Sequence, residues 1–261
     1  MKTIILCGGT GTRMKEETEF KPKPLVAVGG KPVLWHIMKI YAHYGYNEFI
    51  LALGYRGDMI KDWFLHWRTL TNNFTLNTKN NEVIFHNNDC DDFKITFVET
   101  GLESLTGERV RRLKDYIGDE DFMVTYGDGV ANIDINKLIA FHKSQNTIAT
   151  ITGVHRDGRF GLLEYDKATN KIKDYYQANI GDTEEKKSGD LINGGFMVFK
   201  NEFLDMIKPD SMIEQAFDPL AAKGELSMYE NEGKWKCMDT YKEVEELNKD
   251  WKNDPFWKIW E

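Results

Sequence analysis

The sequence predicts an α/β fold built on a mixed, mostly parallel central sheet, with a small β excursion and a C-terminal helical segment, in a single domain over residues 1–261. Apolar, β-rich runs at TIILC (3–7), FILAL (49–53), KITFV (94–98), FMVTY (122–126) and IATITGV (148–154) alternate with helical patterns through the first two thirds of the chain. Such alternation marks βαβ units with right-handed crossovers. No Pro/Ser-rich linker, internal repeat or low-complexity tract divides the chain, and 41% hydrophobic content with 13% aromatics suffices for one packed core.

The first run, TIILC, turns into glycines too soon to be the apolar region of a signal peptide, and reads as the opening strand of a cytoplasmic protein. Val33, Leu34, Ile37, Met38, Ile40, Tyr41 and Tyr44 then recur at helical spacing, with Gly45 as a stop, so this helix faces the core. Met59, Ile60, Trp63, Phe64 and Trp67 predict a second helix over 57–68. Residues 69–93 are polar, with the single strand-like run EVIFH (82–86), and form the excursion. The stretch 162–176 reads as a hairpin around Lys167-Ala168-Thr169-Asn170, followed by a charged loop at 180–190 and a buried strand GFMVF (195–199). Trp251, Phe256, Trp257 and Trp260 are too many aromatics for a free tail and should pack on the body or on another subunit.

Charge and cysteine usage exclude several classes. A formal net charge of −8 lacks the concentrated basic face that nucleic acid requires, and no apolar run is long enough to span a membrane. Cys7, Cys90 and Cys237 show no CxxC or Cys/His ligand spacing, so they read as reduced structural cysteines. His36, His43 and His142 have no triad-like or ligand-like partner and read as core or surface histidines.

Three constellations carry chemistry. Leu6-Cys7-Gly8-Gly9-Thr10-Gly11-Thr12-Arg13 follows the first strand directly; its glycines admit phosphate oxygens to backbone N–H groups, and Arg13 stands where a cation holds a polyphosphate. It is neither a Walker A loop nor a G-x-G-x-x-G fingerprint, and the glycines alone would equally suit a tight turn. In Lys21-Pro22-Lys23-Pro24 each proline pushes the lysine before it toward extended geometry, presenting cations from a stiffened loop; a merely solvated basic loop is the alternative. Tyr126-Gly127-Asp128-Gly129 closes an apolar strand, placing Asp128 at a carboxyl end of the sheet, where a lone carboxylate suits Mg²⁺, although Asp-Gly also makes ordinary turns. Asp239 lies far along the chain and is unremarkable on spacing alone.

LCGGTGTRM, KPKPLVAVGGKPVLWHIMKIYAHYG, TGLESLTGERVRR, TYGDGVANIDI, GRFG, INGGF, MDT and the terminal PFWKIWE together resemble the glucose-1-phosphate cytidylyltransferases of the sugar-1-phosphate nucleotidyltransferase superfamily, across essentially the whole chain. The resemblance implies a Rossmann-like three-layer nucleotidyltransferase fold, CTP as the nucleotide, release of pyrophosphate, Mg²⁺ as cofactor, a phosphorylated small-molecule acceptor and a homo-oligomer. By the same resemblance, Leu6, Gly8, Gly9, Thr10, Gly11, Thr12, Arg13 and Gly127 match the nucleotide site. Lys23 matches the lysine on the phosphates, and Thr106 and Arg109 a segment recognising cytosine and phosphate. Asp128 and Asp239 match the metal pair, with Arg13, Lys23 and Asp128 carrying catalysis, and Gly161, Gln177 and Asn193 fall at the acceptor pocket.

One stretch departs from this pattern. Relatives carry Glu-Lys-Pro before the INGG segment, where this chain has Gln177-Ala178-Asn179 and so lacks the lysine on the acceptor phosphate. Losing that charge-assisted contact removes roughly 1.5–3 kcal/mol. Three readings stay open: glucose 1-phosphate with Lys186, Lys187 or a neighbouring subunit substituting; another phosphorylated acceptor; or a CTP-binding protein with little turnover.

Overall fold

The computed structural model describes residues 1–11, 14, 18–155, 162–166, 169–176 and 191–261. Nine strands form its central sheet: β1 (Thr3–Leu6), β2 (Glu48–Leu53), β3 (Lys94–Glu99), β4 (Phe122–Tyr126), β5 (Ala149–His155), β6 (Leu162–Asp166), β7 (Lys171–Tyr176), β8 (Leu191–Phe199) and β9 (Leu226–Asn231). Their spatial order is β5-β9-β7-β6-β8-β4-β1-β2-β3, and β5 also pairs with β8. β1 runs parallel to β2 and β4, β2 to β3, and β5 to β9. β8 is antiparallel to β4, β5 and β6, and β7 to β6 and β9, so β7 and β8 alone oppose the common direction. The sheet is therefore mixed and mostly parallel, as expected.

Helices cover both faces: α1 (Val33–His43), α2 (Gly57–Leu65), α3 (Trp67–Thr71), α4 (Thr106–Arg111), α5 (Lys114–Ile117), α6 (Ile135–Gln145), α7 (Phe217–Ala222) and α8 (Tyr241–Asn253). Alternate residues of each strand point to opposite sides. Ile5, Leu51, Met123 and Val198 meet the apolar faces of α1, α6 and α8, while Ile4, Leu6, Ile50, Val124 and Met197 meet α4, α5 and α7. Both faces being buried explains why β1, β2 and β4 are continuously apolar in sequence rather than alternating.

Local differences from expectation have local causes. The helix expected over 57–68 breaks at His66 (φ −95, ψ 4), where α2 ends and α3 begins. The excursion is a ribbon in which Glu82–Phe85 pairs with Phe74–Asn77, a segment whose alternation of Phe74 and Leu76 with Thr75 and Asn77 is only four residues long. β8 reaches back to Leu191 and bends through its Asn-Gly-Gly: Gly195 has φ +81, a Cβ there would meet the Tyr126 ring at 2.6 Å, and Asn193 Oδ1 accepts the Gly195 N–H at 2.9 Å. A residue with a side chain could adopt neither that backbone nor that contact.

The aromatic C-terminus packs on the body. Trp257 and Trp260 are buried beside His36 of α1. The Trp257 indole donates to His36 Nδ1 at 3.3 Å while His36 Nε2 lies 2.8 Å from the Val28 carbonyl, so the ring is neutral with its proton on Nε2. Burial pushes the His36 imidazole down to about 4, and does the same at His142. Both are core histidines. The three cysteines are free, Cys7 and Cys237 buried and Cys90 exposed.

Candidate nucleotide site

The spatial order β3-β2-β1-β4 reverses the direction of winding between β1 and β4, and an open α/β sheet offers its ligand crevice outside the strand ends at such a point. Here the glycine loop leaves β1 and the Tyr126-Gly127-Asp128 segment leaves β4, joined by Gly127 N–H to the Leu6 carbonyl at 3.1 Å. A cleft of about 290 Å³ opens between them, lined by Leu6, Cys7, Gly8, Gly9 and Gly11 on one side, Lys23, Pro24, Tyr126, Gly127 and Asp128 on another, and Ser104, Leu105, Thr106, Arg109 and Met212 on a third.

The residues expected at the site converge unevenly. Leu6, Gly8, Gly9, Gly11, Lys23, Thr106, Arg109, Gly127 and Asp128 all line the cleft. Thr10 sits on the exposed part of the same loop, and Asn193 lies half-buried at the bend of β8. Thr12, Arg13, Gly161, Gln177, Lys186 and Lys187 lie outside the described residues.

Arg109 is buried, and both of its terminal nitrogens are engaged. Its guanidinium donates to the carbonyls of Gly8 (3.0 Å), Leu53 (3.1 Å), Gly101 (2.7 Å) and Leu102 (3.1 Å) and to Thr100 Oγ1 (2.8 Å). It thereby ties the glycine loop, the end of β2 and the 101–105 segment into one wall. Thr106 Oγ1 accepts the Ile213 N–H at 2.9 Å and donates to Glu214 at 3.3 Å; the other oxygen of Glu214 accepts from the Tyr126 hydroxyl.

Lys23 differs from the expected extended presentation. Pro22 is extended (φ −66, ψ 145), but Lys23 opens a 3₁₀ turn over Lys23–Leu25, because Leu25 N–H bonds the Pro22 carbonyl and Val26 N–H bonds that of Lys23. Those two bonds override the steric preference imposed by Pro24. The turn aims the ammonium inward, 2.5 Å from Asp128 Oδ2 and 2.6 Å from Asp239 Oδ1, with 14% of the side chain exposed. Burial works against this charge, yet the two carboxylates outweigh it and hold the amine above its ordinary range.

Asp239 reaches the site through pairings that its spacing does not reveal. Trp235–Cys237 forms a ribbon with Gly129–Ala131, and Met238 N–H bonds the Asp128 carbonyl at 3.0 Å, which sets the two aspartates side by side. Thr240 and Glu243 then make a capping box at the start of α8, with Glu243 Oε2 accepting both the Asp239 N–H (2.7 Å) and the Thr240 N–H (2.8 Å). The T-x-x-E spacing was the available signal for this anchor. Glu214 had no comparable signal.

The residues present suit a divalent cation: two carboxylates converge on one point that already holds a positive charge, and all the donors are oxygens. Among the described residues no cluster of three or more His, Cys, Asp or Glu could enclose a metal by itself, so phosphates and water would have to complete its shell.

The switch-point cleft, glycine loop and paired carboxylates define an α/β protein that handles nucleotide phosphates. The chain belongs to the nucleotidyl transferase family, whose model matches residues 2–253. A protein of Bacillus subtilis (strain 168) named "Probable glucose-1-phosphate cytidylyltransferase" is 44% identical over the full length of both chains, and the glucose-1-phosphate cytidylyltransferase of Salmonella typhimurium (strain LT2) is 39% identical over the same extent. The solved structure of HddC from Yersinia pseudotuberculosis superposes with a TM-score of 0.74 at 23% identity, covering 96% of this chain and 99% of that one, and shares its fold.

Proposed function

We propose that this protein is a cytidylyltransferase that couples CTP to glucose 1-phosphate, giving CDP-glucose and pyrophosphate. The observation that carries the reading is that Lys23 and Asp128, which line the glycine-loop cleft, meet Asp239 through the Lys23 ammonium. The choice of cytosine and of glucose 1-phosphate is supported by the two full-length relatives named above.

An acceptor phosphate oxygen attacks the α-phosphorus of CTP in line; the new P–O bond forms as the bond from Pα to the β-phosphate oxygen breaks, and pyrophosphate leaves with that electron pair. The attacking oxygen is already anionic, so no strong general base is required and the protein's tasks are positioning and charge neutralisation. Lys23 neutralises phosphate charge from the fixed 3₁₀ turn, and Arg13 completes the cationic side in this proposal. Gly8, Gly9, Thr10, Gly11 and Thr12 cradle the nucleotide, while Thr106 and Arg109 hold the wall it lies against. Asp128 and Asp239 would hold Mg²⁺, which supplies charge stabilisation to the phosphates. Gly161, Gln177 and Asn193 form the acceptor side.

The proposal extends to a single domain, a homo-oligomer and a cytoplasmic setting. Support for one domain is the continuous sheet from β1 to β9 and the return of α8 onto the turn that precedes α1 through Asn248, which accepts the Gly29 N–H. Free cysteines agree with a reducing compartment, and no helix among the described residues is long and apolar enough to cross a membrane.

Pyrophosphate release in the presence of Mg²⁺ tests the assignment, with CTP, UTP or dTTP against a panel of phosphorylated acceptors. CTP with glucose 1-phosphate is expected to be the preferred pair. Preference for another acceptor would favour the second reading that Gln177-Ala178-Asn179 motivates, and CTP binding without turnover on the whole panel would overturn the enzymatic assignment. If Lys186 and Lys187 replace the missing lysine, changing both to Ala raises the acceptor KM; an unchanged KM removes them.

A further inference from the structure

We infer that Lys23 is a resident counter-cation, holding the place between Asp128 and Asp239 until a divalent metal takes it, so that lysine and metal occupy the same two carboxylates in turn. The inference rests on the metal assignment proposed above and adds an order of events to it.

Two carboxylates from different segments of the chain converge on one point, and without a cation there they would repel each other. Lys23 removes that repulsion by donating to both at 2.5 and 2.6 Å. The same oxygens, Asp128 Oδ2 and Asp239 Oδ1, are the ones a metal would need, and two cations do not share them without strong mutual repulsion. The loop carrying Lys23 is fixed by Pro22, Pro24 and the 3₁₀ hydrogen bonds, so exchange requires only the flexible four-carbon stem to swing. Lys23 also lines the cleft beside the glycine loop, where nucleotide phosphates would give its ammonium a new anionic partner.

Two consequences follow. The free protein binds metal poorly, because Lys23 competes for the ligands. Nucleotide and metal bind with positive coupling, because phosphates draw Lys23 away from the aspartates and neither ligand acts fully alone.

Mn²⁺ binding to the nucleotide-free protein, followed by the electron paramagnetic resonance of the free ion, tests the exchange in the wild type, Lys23→Gln and Lys23→Arg. Lys23→Gln is expected to bind Mn²⁺ about tenfold or more tightly than the wild type, a factor within ordinary coupling strengths, while Lys23→Arg keeps the competing charge and stays weak. Equal or weaker binding in Lys23→Gln overturns the exchange. A second measurement needs no variant: Mg²⁺ raised to a concentration that saturates the weak site of the nucleotide-free protein should accelerate acylation of the Lys23 amine, read by peptide mass spectrometry, relative to Lys61 and Lys94. No acceleration overturns it as well. Adding Asp128→Asn to Lys23→Gln separates the two ideas. Mn²⁺ affinity that depends on Asp128 but not on Lys23 overturns the exchange alone, whereas affinity that depends on neither overturns the metal assignment with it.

Discussion

The Arg109 guanidinium fills the space that a side chain on Gly8 would need: a Cβ built there lies 2.1 Å from Arg109 Nη1. The requirement for glycine at this position of the loop is thus set by an arginine 101 residues away that simultaneously bonds the Gly8 carbonyl. Gly8→Ala must push out a side chain held by five acceptors, so about 1–3 kcal/mol of stability should be lost with the displaced hydrogen bonds. Urea denaturation checks this, and the KM for CTP should rise in parallel. An alanine variant with unchanged stability would mean that Arg109 is not held as described.

Asp128→Asn leaves Lys23 one full carboxylate at Asp239, so the fold should persist while turnover falls by at least about a hundredfold, as for loss of a group stabilising transition-state charge. Single-turnover pyrophosphate release on a variant shown folded by circular dichroism is the measurement. Retained activity would remove Asp128 from the chemistry.

Glu243 never faces the cleft, yet it fixes the backbone that carries Asp239. Glu243→Ala should cost about 1 kcal/mol through the lost cap. It should also lower kcat with little change in the KM for CTP, because Asp239 is loosened rather than removed. Glu243→Gln keeps an acceptor for the capping box and should restore kcat.

His36 and His142 make stability pH-dependent in a defined direction. Each is held neutral, with its folded-state value near 4 against an ordinary 6.5. Above pH 6.5 both states are neutral there and stability is flat. As pH falls from 6.5 toward 4 the unfolded chain takes up protons that the native chain refuses, and stability declines by up to about 3 kcal/mol per histidine before levelling. Urea midpoints measured from pH 7.5 to 4.5 should show this slope, and His36→Gln should flatten it by its share.

How much of this was legible in the sequence depended on whether a residue's role is set locally. β1, β2 and β4 were readable because strands buried on both faces are continuously apolar, β3 was readable from its short β-rich run, and Asp128 was readable because it ends one of them. Asp239 was reached only through the resemblance and not from its own spacing, since its place depends on a ribbon pairing with residues 129–131, more than a hundred positions earlier. The partner strand Phe74–Asn77 alternates apolar and polar residues, but over only four positions inside a polar stretch, too few to announce a strand. The inward aim of Lys23 depends on two turn hydrogen bonds that prevail over the proline rule, and composition gives no sign of either. Asn193 was matched to the family by its motif, but its bond to Gly195 follows from a bend that only the sheet pairing explains.

The packing of Trp257 and Trp260 around His36 also bears on biosynthesis. A chain emerging from the ribosome presents α1 early, yet the aromatic lid over that helix is made more than two hundred residues later. Until then the apolar surface of α1 near His36 is uncovered, a state prone to non-native association. Closure of the core over α1 is therefore decided late in translation, and a stop ahead of Trp251 would leave an open core at the first helix.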